Sequence, residues 1–130
     1  MYIHDSPIAV RYAETDAMGV VHHASYIVWF EVARTEWLAA QGYRYADLEK
    51  EGFFLVVAEV NVRYLKPVRY GDEIIVRSHP TEVRSRAIQF TYEVVNATTN
   101  EVHVTATTRH ICTDRQGRVS RIPEHIAALT

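Results

Sequence analysis

Asp16, His22 and His23 are the residues of this chain whose types and spacing can do chemistry. They lie within Tyr12–Leu38, YAETDAMGVVHHASYIVWFEVARTEWL, where a polar turn at Glu14–Gly19 leads into the most hydrophobic helical stretch of the protein. A carboxylate in such a turn can attack an electrophilic carbon or take a proton from water. Asp16 also precedes a helix whose first N–H groups lack an intrahelical acceptor and favour negative charge. Donors near His23 can therefore hold an oxyanion. The plainer alternative is that Asp16 caps its own turn, the commonest task of an Asp ahead of a helix, and that His23 bonds a nearby carbonyl. A metal is the third reading, with His4 as a further ligand type. Adjacent histidines seldom share one ion, and the chain has no His-x-x-x-His or cysteine pair, so no metal is expected. His22 should point away from His23.

The elements that must position these groups follow from periodicity. A short strand is predicted at Ser6–Tyr12, with Pro7 at its start or on an edge. The helix runs from His23 or Ala24 to Gln41, with Tyr26, Trp29, Phe30, Ala33, Trp37 and Ala40 on one stripe. Ile27, Val28, Val32, Leu38 and Ala39 make most of its remaining surface apolar too, so it should be buried all round and something must wrap it. Glu31 and Arg34 interrupt it at i,i+3 spacing and are expected to pair. Gly42 ends it. A helical turn is predicted at Tyr45–Glu51. The period then changes to two, giving strands at Phe54–Leu65, Glu73–His79, Ala87–Val95 and Glu101–Thr113. In the first of these Ala58, Val60, Val62 and Tyr64 should share one face. A short terminal helix is expected within Ile122–Leu129. Successive strands with short turns make an antiparallel sheet. The layout is α+β: five or six strands curled around one long central helix.

The 130 residues suit one domain, residues 1–130, with a single substantial core. With 48 % apolar and 23 % charged residues the chain reads as globular. A net charge of −2 gives no global pull toward nucleic acid. The single Cys112 excludes an internal disulfide and a cysteine zinc cluster. The first residues carry an acid and a proline where a leader peptide needs a basic start and an apolar core. No apolar run reaches the ~18 residues of a membrane span, so a cytoplasmic protein is expected.

The stretch Asp16-Ala17-Met18-Gly19-Val20-Val21-His22-His23-Ala24-Ser25-Tyr26, followed by Phe30-Glu31-Val32-Ala33-Arg34-Thr35-Glu36, resembles the signature of hotdog-fold acyl-CoA thioesterases. The branch is the 4-hydroxybenzoyl-CoA thioesterase/YbgC-like one, and the similarity covers nearly the whole chain. Val62–Asp72 also resembles that family, in a pattern shared by many hotdog proteins. The resemblance implies hydrolysis of acyl-CoA to free acid and CoA without a cofactor. It makes Asp16 the catalytic carboxylate, as nucleophile or general base, and the backbone amide of His23 the oxyanion donor. It adds the His23 imidazole and Tyr12 to the site. It further implies homodimers or homotetramers with sites at subunit interfaces. CoA carries phosphates that basic residues hold. Arg63, Lys66 and Arg69 supply one such cluster, and Arg84 and Arg86, with Ser85 between them, another, with solvated strand faces as the competing account. Met18 stands where related sequences often have a small residue and can shape the acyl pocket. Other classes consistent with the chain are a binding module for acyl groups or acyl carriers and an interaction protein of an envelope complex.

Overall fold

The computed structural model describes residues 2–130. Five strands form one antiparallel sheet: β1 (His4–Ala9), β2 (Phe54–Tyr64), β3 (Glu73–Val83), β4 (Ala87–Asn96) and β5 (Val102–Thr113). Their spatial order is β1-β3-β4-β5-β2, so β1 and β2 are the edges. Three helices accompany them: α1 (Ser25–Ala40), α2 (Tyr45–Lys50) and α3 (Glu124–Ala127). The α+β class and the antiparallel sheet agree with the sequence.

The apolar stripe of α1 packs on one face of the sheet. Tyr26, Trp29, Phe30, Ala33, Trp37 and Leu38 are all buried. Phe30 stacks on Tyr92 with ring centroids 4.7 Å apart, and Trp37 meets Phe90 edge-on at 5.6 Å. On β4 the residues Ile88, Phe90, Tyr92 and Val94 supply the opposing wall, as alternation predicts. Within it runs a polar relay. The Tyr92 hydroxyl and Thr108 Oγ1 lie 2.7 Å apart, and Thr108 Oγ1 is 2.8 Å from His110 Nε2. Burial, then the charge of Arg34, pushes the His110 imidazole down to about 3, while the Leu55 carbonyl acts the other way. His110 is therefore a neutral core residue.

Four expectations are corrected. The second face of α1 is open in the single chain, where Ile27, Val28 and Val32 are exposed, because one five-stranded sheet covers one side of a helix. Arg34 forms no ion pair with Glu31; its guanidinium donates to the Tyr92 hydroxyl at 3.4 Å. Strand β2 does not alternate as expected. Its register slips between Val57 and Glu59, and Val56, Val57, Val60 and Tyr64 are all exposed on this edge strand. Strand β3 continues through Pro80 to Val83. Strand β1 pairs only with Glu73–Ser78, and β3 is bulged between Pro80 and Glu82, so the missing proline N–H costs no regular ladder bond.

Candidate active site

Asp16 sits in a loop closed on itself. Its N–H donates to the Val20 carbonyl at 2.9 Å, and Gly19 N–H donates to the Asp16 carbonyl at 3.0 Å. Gly19 has φ +78°, a backbone that L side chains rarely adopt, which lets the loop turn so tightly. The Asp16 side chain completes the turn. Its Oδ1 accepts the N–H groups of Met18 at 2.8 Å and Val20 at 3.3 Å. Among the described residues Oδ2 has no hydrogen-bond partner. Asp16 thus does cap its own turn, with one oxygen, and keeps the other for solvent or substrate. Val21 N–H donates to the Val68 carbonyl at 2.8 Å and pins the far limb of the loop.

Helix α1 opens directly after this loop. Ser25 N–H bonds the His22 carbonyl at 3.0 Å, and Ala24 N–H reaches His22 Nδ1 at 3.3 Å. The N–H of His23 has no acceptor among the described residues. The Tyr64 hydroxyl, from the end of β2, donates to the His23 carbonyl at 2.8 Å. The two imidazoles lie against each other, with centroids 4.2 Å apart and planes tilted by 31°, so His22 does not diverge from His23 as the sequence suggested. A groove of about 260 Å³ lies at this helix opening, lined by Val21, His23, Tyr26, Tyr64, Leu65, Lys66 and Pro67.

The surprise of the loop is Glu14, the one buried acidic residue among those described. Its Oε1 accepts Arg11 N–H at 2.8 Å and its Oε2 accepts the Trp29 indole N–H at 2.8 Å. Arg11 Nη2 lies 3.5 Å from Oε2. Burial raises the Glu14 carboxyl, but the bonds from Arg11 and Trp29 outweigh it and hold the group below its ordinary range. A glutamate in a polar turn reads as solvated, and its partner lies fifteen residues later, so sequence reasoning passed it over. Tyr64 was missed for a similar reason, since it reads as one more strand aromatic.

Comparison with known proteins decides the family. The model of the thioesterase-like superfamily matches residues 10–129. YneP of Bacillus subtilis is 38 % identical over 116 residues, 89 % of this chain and 83 % of that protein. The acyl-CoA thioester hydrolase YbgC of Escherichia coli is 38 % identical over 91 residues, 70 % of this chain and 68 % of that one. The crystal structure of a DHNA-CoA thioesterase from Staphylococcus aureus superposes with a TM-score of 0.91 at 32 % identity, over 98 % of this chain and 86 % of the other. The chain belongs to the thioesterase-like superfamily. It is a thioester hydrolase with the hotdog architecture that its sequence suggested.

In this thioesterase the remaining sequence-predicted residues fall at several places. Tyr12 lies in a 3-10 turn, Tyr12–Glu14, not in a strand, and its side chain is 77 % exposed, so it is not core. Its ring meets Tyr70 edge-on at 5.7 Å, and its hydroxyl makes no bond to Asp16. Met18 is fully on the surface beside Asp16. Lys66 lines the His23 groove and pairs with Glu101 at 2.6 Å. Arg63 lines a different groove, with Asn61, Thr91, Thr105 and Thr107 on the outer sheet face, so the predicted Arg63–Lys66 cluster is split. Arg84, Ser85 and Arg86 form the β3–β4 loop at the opposite end of the sheet from Asp16. Arg84 pairs with Glu82, whereas among the described residues the Arg86 guanidinium has only Ser85 Oγ as a hydrogen-bond partner, at 3.4 Å. Arg121, which the sequence did not single out, shares a groove of about 460 Å³ with Ser85. Among the described residues no cluster could hold a metal ion, and no helix is long and apolar enough to cross a membrane.

Proposed function

We propose that this thioesterase hydrolyses acyl-CoA to the free acid and CoA, with Asp16 as the reacting carboxylate and the His23 backbone N–H as an oxyanion donor. The observation that carries this is a pair of unused groups in one loop, seven residues apart. Among the described residues Asp16 Oδ2 and the His23 N–H have no partners, although Asp16 Oδ1 and the N–H groups of Asp16, Met18, Gly19, Val20, Val21 and His22 are all bonded. Attack by the carboxylate forms a C–O bond and moves the carbonyl pair onto oxygen, where the N–H of His23 receives it. Collapse breaks the C–S bond and expels CoA thiolate, leaving a mixed anhydride that water cleaves. In the general-base version Asp16 takes a proton from the attacking water and returns it to the departing sulfur. The His23 imidazole lines the groove where the acyl group or thiol would lie. Tyr12 and Met18, exposed on the same loop as Asp16, contact the acyl portion.

The phosphates of CoA go to Arg84, Ser85 and Arg86, helped by Arg121, with Lys66 nearer the reacting carbon. Within one chain these loop residues are too far away. Strand β3 spans eleven residues between the two ends, roughly 35 Å at the usual rise per residue. A second copy resolves this. If β2 pairs antiparallel with β2 of a partner, the Tyr64 end of one chain lies beside the Phe54 end of the other. The partner's β3–β4 loop then comes within a few strand spacings of about 4.8 Å. The exposed valines of β2 and the open face of α1 are the surfaces such a homodimer covers, and a tetramer follows if two dimers associate. Arg63, on the outer face, has no part in this site. The protein acts in the cytoplasm, where acyl-CoA is found.

A thiol-release assay across a panel of aliphatic and aromatic acyl-CoA thioesters tests the reading. Asp16→Asn is the variant of choice, because its amide oxygen can still accept the N–H groups of Met18 and Val20. We expect turnover by the native protein, and a loss of about 10² or more in kcat in the variant. CoA affinity should stay unchanged. No turnover of any member of the panel by the native protein, or full turnover by Asp16→Asn, overturns it.

A further inference from the structure

We infer that Glu14 is a positioning residue for this reaction, a buried carboxylate that ties the Asp16 loop to the helix whose opening carries the His23 N–H. The inference rests on the site proposed above. Glu14 reaches both halves of that site. Its side chain receives Arg11 N–H and the Trp29 indole N–H, each at 2.8 Å, and so joins the entry of the loop to the second turn of α1. Its carbonyl accepts His22 N–H at 2.7 Å, one peptide before the free N–H of His23. Asp16 follows two residues later, and Thr15 bridges to Val21 on the returning limb.

A buried carboxylate is a costly way to fill space, and an apolar side chain of similar volume often stabilises a fold as well or better. What the carboxylate offers is direction. Two oxygens each take one N–H, so the loop and the helix cannot slide past each other without leaving a donor or a charge unpaired. Reaction geometry is sensitive to this, since a displacement of about 1 Å can cost ~10²-fold in rate. Arg11 is largely exposed, so its guanidinium adds charge compensation rather than geometry.

The test compares Glu14→Gln, Trp29→Phe and the double variant with the native enzyme. Gln has one acceptor for two donors and turns an N–H₂ toward the other. Phe removes the indole donor and keeps an aromatic ring, smaller than the indole, in its place. Each single variant should lose roughly 10- to 100-fold in kcat per folded site while KM changes less than about threefold. The double variant should be no worse than the poorer single one, because both break the same link. Folded fraction is measured by thermal melts, and the assay is run well below the melting transition. Loss of stability with native kcat per folded site overturns the inference, as does a rise in KM at native kcat, or additive losses in the double variant. Asp16→Asn separates the two claims. If it keeps activity, the proposed reaction site falls; if it loses activity while Glu14→Gln and Trp29→Phe keep theirs, only the positioning role falls.

Discussion

The two ends of the sheet are built on different principles. At one end the Asp16 loop, the opening of α1 and the tip of β2 are strapped together by backbone bonds, by Glu14 to Trp29 and by Tyr64 to the His23 carbonyl. At the other end Arg84, Ser85, Arg86 and Arg121 are exposed side chains with few partners, and Arg84 shares its charge with Glu82. Bond making needs groups held to a fraction of an ångström. Attraction of phosphate needs charge in roughly the right place and tolerates motion. The contrast predicts that damage at the first end appears in kcat and damage at the second in KM.

The most severe way to break that division of labour is to keep the two ends from meeting. Val56→Lys with Val60→Lys puts charge on the exposed edge of β2, the device by which natural edges resist pairing. Sedimentation should show a monomer with an unchanged circular dichroism spectrum. We expect kcat/KM to fall by about 10² or more, since burying an unpaired charge opposes association by several kcal/mol. A monomer with full activity would mean that one chain holds a complete site.

A smaller effect is expected from the loop. Arg86→Ala, alone or with Arg84→Ala, should raise KM for acyl-CoA by about fivefold per residue, the scale of one exposed charge pair near 1 kcal/mol. The value of kcat should stay within a factor of two. Raising the salt concentration should shrink the difference between native and variant, because exposed charges are screened. A fall in kcat with KM unchanged would move these residues to the reacting end.

Much of the strapped end was legible in the sequence and much of the basic end was not, for physical reasons. The stripe from Tyr26 to Trp37 repeats at helical spacing, so its burial could be read directly. The alternation of Ile88, Phe90, Tyr92 and Val94 did the same for β4. Asp16 stood out because a carboxylate before a buried helix is conspicuous in a family signature. Glu14 did not, because an Arg three residues away reads as an exposed surface pair, while the partners that bury it, an indole on α1 and a backbone N–H, leave no pattern of charges. The open side of α1 was misread because apolar composition suggests burial without showing which element could supply the cover. Arg121 escaped notice because it joins the β3–β4 loop only through the returning C-terminal segment, where Ile122 N–H bonds the Ser85 carbonyl at 2.8 Å. Local periodicity carries information about one element at a time, whereas these contacts depend on how distant elements meet.

The finest probe of the contrast is Tyr64→Phe. Tyr64 ends β2, so it belongs to the edge strand, yet its hydroxyl holds the His23 carbonyl at 2.8 Å and so serves the strapped end. Phenylalanine keeps the ring that packs edge-on against Tyr26 at 5.4 Å and deletes only that bond. A single neutral hydrogen bond contributes about 0.5–1.5 kcal/mol net, which corresponds to a loss of roughly two- to tenfold. If the bond orients the peptide that carries the oxyanion donor, the loss falls on kcat and leaves KM in place. If Tyr64 serves mainly as a wall of the groove, the substitution is silent in both, because the wall is still there. If KM rises instead, the hydroxyl meets the substrate itself, and the boundary between the two ends must be drawn on the other side of β2.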